Sequence, residues 1–236
     1  FQTAYLKCHY PHEFMAALLT SVLDNTSKVI EYTTECQRLG IKVQQPDINV
    51  SRGGFTADGE RIRFGLNAVK SVGRDLIEAV IKERAERPYS SLYDFCKRLH
   101  GTGLNRRALE NLVKAGAFDT LEPTRHGMLE SVEFGLMGGG ENEKPANDYK
   151  VPNLPEYSAS DLLKMEKEVS GLYLSGHPLD AYRAQIAQVS TCTIAQLLGE
   201  DAKQFDNQTV TLVCTIVKNK IMTTKSNTLM AFTTVE

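Results

Sequence analysis

The sequence predicts a mainly α-helical fold with a small β element, an α+β class that ends in the opening strands of a β barrel. Apolar residues at helical spacing fill most of the chain up to residue 189, a turn dipeptide separates two extended runs near residue 58, and alternation begins at residue 209. The chain has 236 residues, of which 42% are hydrophobic and 24% are charged. This composition suffices for one large domain or two small ones, and it excludes a wholly disordered or collagen-like chain.

The first forty residues are predicted to be helical. Phe14, Leu18 and Leu19 recur at helical spacing, and the run Asp24-Asn25-Thr26 ends that helix and caps the next one. The second helix is expected over 27–39, because apolar residues again fall on one face.

A short β element is predicted to follow. Residues 41–43 are expected to be extended, and the stretches 55–57 and 61–64 flank Asp58-Gly59, a dipeptide typical of hairpin turns. The sequence therefore predicts a hairpin between the first helices and the long helical region.

Helices are predicted again after residue 66, and strands return near the end. The expected helices are 75–86, 91–99, 106–115, 124–136, 159–170 and 179–189. The run Gly138-Gly139-Gly140, three prolines and scattered charges predict a flexible linker over 138–158. Residues 209–216 and 229–233 alternate as strands do, with a hairpin turn expected at 225–227.

Cellular context is indicated by the cysteines and by the lack of a long apolar segment. No apolar run approaches the ~18 residues of a membrane helix, and no secretory leader is visible. The 5 cysteines are widely spaced without a CxxC pair, which disfavours structural zinc and a disulfide framework. We expect reduced, mostly buried thiols in a cytoplasmic protein. A chain that begins at Phe1 and stops at Glu236 inside an apparent strand is expected to be a fragment.

The net charge of −2 conceals two oppositely charged regions. Residues 61–116 carry 12 lysines and arginines against 6 acidic residues, whereas 117–168 carry 5 against 11. The sequence therefore predicts a basic, phosphate-facing module beside an acidic neighbour.

The segment 66–81 has the pattern of a phosphate-binding turn. A short helix, a tight turn with glycine and a longer amphipathic helix follow one another. A turn that enters a helix leaves backbone N–H groups unpaired at the positive end of the helix dipole. The predicted contacts come from backbone or hydroxyl groups and from charged side chains, in the set Lys70, Ser71, Val72, Gly73 and Arg74.

A second helix entrance carries a similar arrangement. Asn105 is predicted to cap a helix whose first turn holds Arg106 and Arg107, with Lys114 in its last turn. Each cation at a helix N-terminus destabilises the helix by about 0.3–1 kcal/mol, because it lies at the positive end of the helix dipole. An anion is therefore expected to bind there. Plain core packing beneath a solvated basic face explains the same pattern, and the spacing alone leaves both interpretations open.

Several longer phrases resemble the bacterial DNA polymerase III alpha subunits, the C-family replicative polymerases. They follow the order of that family along nearly the whole chain and lie at 1–19, 46–49, 62–66, 104–110, 114–119 and 171–179. The last phrase and the first argue against a DNA-repair helix-hairpin-helix protein. The chain departs from the family at Ser71, where members often have glycine.

The resemblance implies four regions and a role in template-directed DNA synthesis. These are the distal fingers (1–64), a tandem helix-hairpin-helix module that grips duplex DNA (65–119), a helical connection (120–190) and the start of an OB domain that contacts single-stranded template (191–236). The family's palm, whose aspartates hold Mg²⁺, and its PHP domain lie upstream. The present stretch is therefore expected to be inactive alone, with no cofactor, metal or catalytic residue of its own.

Further contacts are implied near both ends of the chain. Lys7 and His9 correspond to fingers residues near the incoming nucleotide, although a structural role is the simpler alternative. Lys218, Lys220 and Lys225 are predicted either to contact DNA or to solubilise an edge hairpin, and Phe232 is assigned to the core.

Docking of partner proteins is the alternative function. Family members commonly carry a short clamp-binding peptide with a glutamine. The nearest candidate here, residues 130–136, lacks that glutamine and falls in a predicted helix. In this alternative the chain is a scaffold that docks the sliding clamp or another replisome subunit, and its basic face is incidental.

Overall fold

The computed structural model describes residues 1–137, 150–224 and 227–235, without the side chains of residues 200 and 201. Contacts divide the chain into two compact units, Phe1–Ser175 (unit 1) and Gly176–Glu236 (unit 2). No helix among these described residues is both long and apolar enough to cross a membrane.

Unit 1 is mainly helical with one small sheet. Its described helices are α1 Gln2–His9, α2 Pro11–Ser21, α3 Thr26–Arg38, α4 Arg74–Glu86, α5 Leu92–Arg98, α6 Arg106–Lys114, α7 Arg125–Glu130, α8 Val132–Met137 and α9 Ala159–Ser170. The sheet contains β1 Lys42–Gln44, β2 Thr56–Asp58 and β3 Arg61–Arg63 in the order β1-β3-β2. Strand β3 is parallel to β1 and antiparallel to β2, so the predicted hairpin is confirmed.

Unit 2 contains short helices and one hairpin. Helices α10 Arg183–Val189 and α11 Ile194–Leu198 precede β4 Ile216–Thr223 and β5 Leu229–Val235, which pair antiparallel. The predicted mainly α, α+β class is confirmed. The assignment of this hairpin to an OB barrel stays a prediction.

Local polar residues start several helices of unit 1. The side chains of Asn25 and Asn105 accept hydrogen bonds from Lys28 N–H and Ala108 N–H, so both predicted caps are confirmed. Ser91 and Thr124 cap α5 and α7 in the same way.

Two predicted elements have different limits in the structure. The helix predicted over 124–136 is broken into α7 and α8 at Ser131, whose hydroxyl donates to Gly127 O at 2.7 Å. The strand predicted from residue 209 begins only at residue 216. Before it, Thr211 O accepts a hydrogen bond from Thr191 N–H at 3.0 Å, so this stretch contacts the segment between α10 and α11.

Two hydrophobic cores lie inside unit 1. One is built under α4 to α8 around residues such as Phe95, Leu109 and Phe118, and the other packs α2, α3 and the sheet around Met15 and Ile62. Val72, in the turn before α4, packs against both cores, so this turn is anchored from both sides. The predicted four-way division of the chain stays a prediction.

The structure describes only the second part of the predicted flexible linker, 138–158. Residues 138–149 lie outside the described part of the chain. Residues 150–157 form neither helix nor strand, but Val151 is buried in the first core. The Glu156 carboxylate accepts hydrogen bonds from Arg125 N–H at 2.7 Å and His126 N–H at 3.2 Å. These contacts hold this part of the segment against α7.

Buried thiols occur as predicted. Cys36, Cys96 and Cys192 are buried, whereas Cys8 is exposed and Cys214 is half-buried. Burial raises the pKa of Cys36 to about 11 and that of Cys96 to about 12, so neither forms a reactive thiolate near neutral pH.

Candidate nucleic-acid interface

The turn that enters α4 presents free backbone donors to solvent. Ser71 adopts a left-handed conformation (φ 62°) and Gly73 is the N-cap residue of α4. Both are exposed, and a side chain added at Gly73 would meet nothing within 4 Å. Among the described residues, no backbone acceptor pairs with the N–H groups of Ser71, Gly73 and Arg74. This helix entrance can therefore accept an anion close to the backbone.

Other parts of the same turn are already engaged. The N–H of Lys70 donates to Val169 O at 2.9 Å, and its ammonium donates to Glu168 O at 2.6 Å. The N–H of Val72 donates to Val69 O at 3.4 Å. Of the backbone donors predicted here, Ser71 and Gly73 are thus the available ones.

The second entrance, before α6, carries the two predicted arginines. Asn105 Oδ1 accepts from Ala108 N–H at 3.0 Å, and the first turn of α6 has no acidic residue. Arg106 donates to Glu110 at 2.7 Å and also to Glu133 of α8. Arg107 is exposed and forms no ion pair with any described residue. An exposed cation without a counter-charge is therefore available at this helix entrance.

The two entrances belong to one connected structure. Asn111, in the middle of α6, donates from Nδ2 to Lys70 O at 2.7 Å. Lys114, at the end of α6, contacts Glu168 Oε1 at 3.0 Å, so Lys70 and Lys114 converge on the same residue. Arg106 lies about 12 Å from Lys114 along the axis of α6, at 1.5 Å per residue. The predicted residues of both bends are thus coupled through α6.

Sequence reasoning missed the acidic partners of these cations. Glu168 pairs with Lys114, and Glu133 pairs with Arg106. Asp24 contacts Arg74 at 3.3 Å. It also missed Asn111, which is buried although it is polar. A polar residue on the inward face of an amphipathic helix was the one available signal, because a buried amide must find a partner.

A buried ion-pair network supports the end of α6. The Arg125 and Glu166 side chains are 4% and 0% exposed and lie 3.1 Å apart. Arg125 also donates to Asp119 at 2.7 Å and to Lys114 O at 3.0 Å. Burial opposes the charge of Arg125, but Asp119 and Glu166 outweigh it and raise its pKa. The network fixes the backbone of Lys114.

Gly116 is essential to that arrangement. It has φ +82°, a left-handed conformation, and follows Ala115, the C-cap residue of α6. An added Cβ would overlap the Arg125 guanidinium and lie 2.9 Å from Asp119 Oδ2. The close approach and the backbone conformation both require glycine here.

The predicted nucleotide-proximal residues of α1 have partners within the chain. Lys7 contacts Glu35 at 2.8 Å, and the His9 ring lies 4.3 Å from the Tyr5 ring, measured between centroids. These contacts fit a structural role and do not test a nucleotide contact.

Two of the predicted lysines of unit 2 lie on the exposed hairpin. Lys218 and Lys220 belong to β4, and Lys220 pairs in register with Phe232 on β5. Phe232 is 57% exposed, so its assignment to the core is wrong. Because directly opposed residues share a face of the sheet, an aromatic ring and a cation lie side by side here. Lys225 lies outside the described residues.

The clamp-peptide candidate, residues 130–136, is helical in the structure. It spans the end of α7 and most of α8, where Val132 and Gly135 are buried and Phe134 is exposed. Clamp binding by this segment stays a prediction.

Comparisons with known proteins decide the family. A family model described as "Helix-hairpin-helix motif" matches residues 40–128, which include both entrances. Proteins named DNA polymerase III subunit alpha align over most of the chain: that of Thermus aquaticus is 43% identical over 84% of it, that of Xylella fastidiosa strain Temecula1 40% over 82%, and that of Vibrio cholerae 34% over 100%. The chain belongs to the family of bacterial DNA polymerase III alpha subunits. It spans 17%, 18% and 22% of those three relatives, about a fifth of their length.

Proposed function

We propose that this chain is part of a DNA-directed DNA polymerase, a nucleotidyltransferase of bacterial DNA replication, in which it grips DNA. The names of its relatives and the helix-hairpin-helix match support this assignment. The proposed regions are the distal fingers (1–64), the helix-hairpin-helix module (65–119), a helical connection (120–190) and the first part of an OB domain (191–236).

One observation carries the proposal. Two helix entrances with free backbone N–H groups and exposed cations are coupled through the hydrogen bond between Asn111 and Lys70. Phosphate oxygens accept hydrogen bonds from such amides and are attracted by the positive end of the helix dipole.

The proposed contacts reach the sugar–phosphate backbone and ignore the bases. At the first entrance a phosphate accepts from the N–H groups of Ser71 and Gly73, with Arg74 and Lys70 close by. At the second, Asn105, Arg106, Arg107 and Lys114 line α6 and its N-terminal cap. Contacts of this kind fix the position of the duplex and carry no sequence information. In the intact polymerase they slow the release of the duplex between nucleotide additions.

The hairpin of unit 2 is assigned a role with single-stranded DNA. Lys218 and Lys220 supply charge, and the exposed ring of Phe232 supplies a surface on which a base can stack. Cations that alternate with stacking aromatics are the usual means of binding single strands without sequence preference. We propose binding roles only for the described residues, because nucleotidyl transfer needs carboxylates that hold two metal ions, and no group of His, Cys, Asp and Glu side chains among these residues is placed to hold one.

The duplex-binding proposal is tested by fluorescence anisotropy with a labelled duplex of mixed sequence. Affinity is expected to fall steeply between about 50 and 200 mM salt, because bound phosphates release counterions. The diagnostic variant is Arg107→Glu. A carboxylate in the first turn of α6 favours the helix dipole, so the fold is retained while the phosphate contact is lost.

Lys97→Glu is the matched control for this experiment. Lys97 is exposed on α5 and has no predicted role, yet its reversal changes the net charge equally. We expect Arg107→Glu to weaken duplex binding about tenfold more than Lys97→Glu does, from the loss of one charge-assisted contact. Equal effects of the two variants, or no binding by the wild type at low salt, would refute the proposal.

A further inference from the structure

Three acidic side chains pair with cations of the proposed DNA-binding surface. Glu168 contacts Lys114 at 3.0 Å, Asp24 contacts Arg74 at 3.3 Å, and Glu133 contacts Arg106. Each acid comes from outside the two entrances, from α9, from the segment between α2 and α3, and from α8. Cations from both entrances are therefore neutralised by acids that the chain brings in from elsewhere.

Glu168 is the best placed of the three acids. Its carboxylate holds Lys114, and its main-chain carbonyl holds the ammonium of Lys70. Lys70, before α4, and Lys114, at the end of α6, thus meet at one residue, as they would around a phosphate. The Glu168 side chain is 63% exposed, so an incoming anion can displace its carboxylate.

We infer that Asp24, Glu133 and Glu168 act as internal competitors of the DNA phosphates and set the strength of the grip. The inference rests on the proposed function. In free protein the cations pair with carboxylates, and in the complex they pair with phosphates. The acids lower DNA affinity because their ion pairs must be broken first.

The size of the effect follows from the exposure of these pairs. Exposed ion pairs stabilise weakly, and their measured strength corresponds to a factor of about 1.5 to 5 in an equilibrium constant. Removal of one acid is expected to raise duplex affinity by about that factor. The acids pair with different cations on different elements, so their effects are expected to multiply.

The experiment measures duplex affinity of the 236-residue chain at low salt for Glu168→Gln, Asp24→Asn, Glu133→Gln and the triple variant. The matched control is Glu31→Gln, which breaks an exposed helix pair with Lys28 and removes the same charge. We expect each test variant to bind about 1.5- to fivefold tighter than the wild type, and the triple variant tighter still. An equal gain from Glu31→Gln would contradict the inference, because it would show a general charge effect.

A double-mutant cycle assigns the effect to one pair. If Glu168 acts by masking Lys114, Glu168→Gln should give little gain in a Lys114→Gln background. An undiminished gain in that background would contradict the assignment. If the wild-type chain binds duplex and the three single variants bind it with the same affinity, this inference is overturned and the proposed function stays intact. No binding by any variant would overturn the proposed function instead.

Discussion

Replacing Gly116 with alanine is expected to destabilise unit 1 by about 3 kcal/mol or more. Forcing a residue with a Cβ into the left-handed region costs about 1–2 kcal/mol. The added Cβ also displaces the Arg125 guanidinium, which is pinned by Asp119, Glu166 and Lys114 O. Disruption of a buried ion pair costs about 3–5 kcal/mol when it is complete, and partial displacement costs a share of that.

Gly40→Ala isolates the backbone contribution. Gly40 has φ +74°, close to that of Gly116, but an added Cβ there meets nothing within 4 Å. We expect a loss of about 1 kcal/mol at Gly40, since alanine also reduces the entropy of the unfolded chain. Urea unfolding followed by far-UV circular dichroism measures both variants. If the two free energies of unfolding agree within about 0.5 kcal/mol, the reasoning about Arg125 is refuted.

Other expectations concern the turn, an ion pair and the hairpin. Ser71→Gly should raise stability by about 0.5–1 kcal/mol in thermal unfolding, because glycine adopts the left-handed conformation of residue 71 at no steric cost; a loss would contradict this. Burial disfavours charged Asp94, but the Ser90 N–H and the guanidinium of Arg87 outweigh it and hold the pKa of Asp94 below its usual range. The stabilisation from this carboxylate is fully present above the ordinary aspartate pKa and is lost as the pH falls through the pKa of Asp94 in the folded protein. Asp94→Asn should therefore reduce the loss of stability on acidification, measured by urea unfolding between about pH 5 and pH 2. Phe232→Ala should weaken binding of labelled single-stranded DNA by about 1–3 kcal/mol with little change for duplex; equal loss for both would exclude stacking.

Local features of the fold could be predicted from the sequence. The cap residue Asn105 and the amphipathic α6 depend on neighbours within one or two turns, and both were predicted correctly. The turn at Asp58-Gly59 is equally local. The break between α7 and α8 at Ser131, whose buried hydroxyl donates to Gly127 O, was missed because apolar residues continue at helical spacing across it.

Features of the candidate interface depended on contacts between distant segments. The ammonium of Lys70 bonds to a carbonyl 98 residues away, and Lys114 pairs with a carboxylate 54 residues away. No periodicity in the sequence indicates such pairs. The cations of the surface could therefore be predicted, whereas their acidic partners could not.

The Glu166 carboxylate has a practical consequence for shortened versions of this chain. It accepts hydrogen bonds from Gln45, from Arg125 and from the main-chain amides of Leu174 and Ser175. A recombinant piece cut to the motif boundaries, 40–128, would leave the Arg125 guanidinium without this counter-ion and would expose the core residues that pack against Met15 in the longer chain. Expression boundaries that keep this packing run from α2 to Ser175, so the shortest piece expected to fold is nearly twice as long as the motif match.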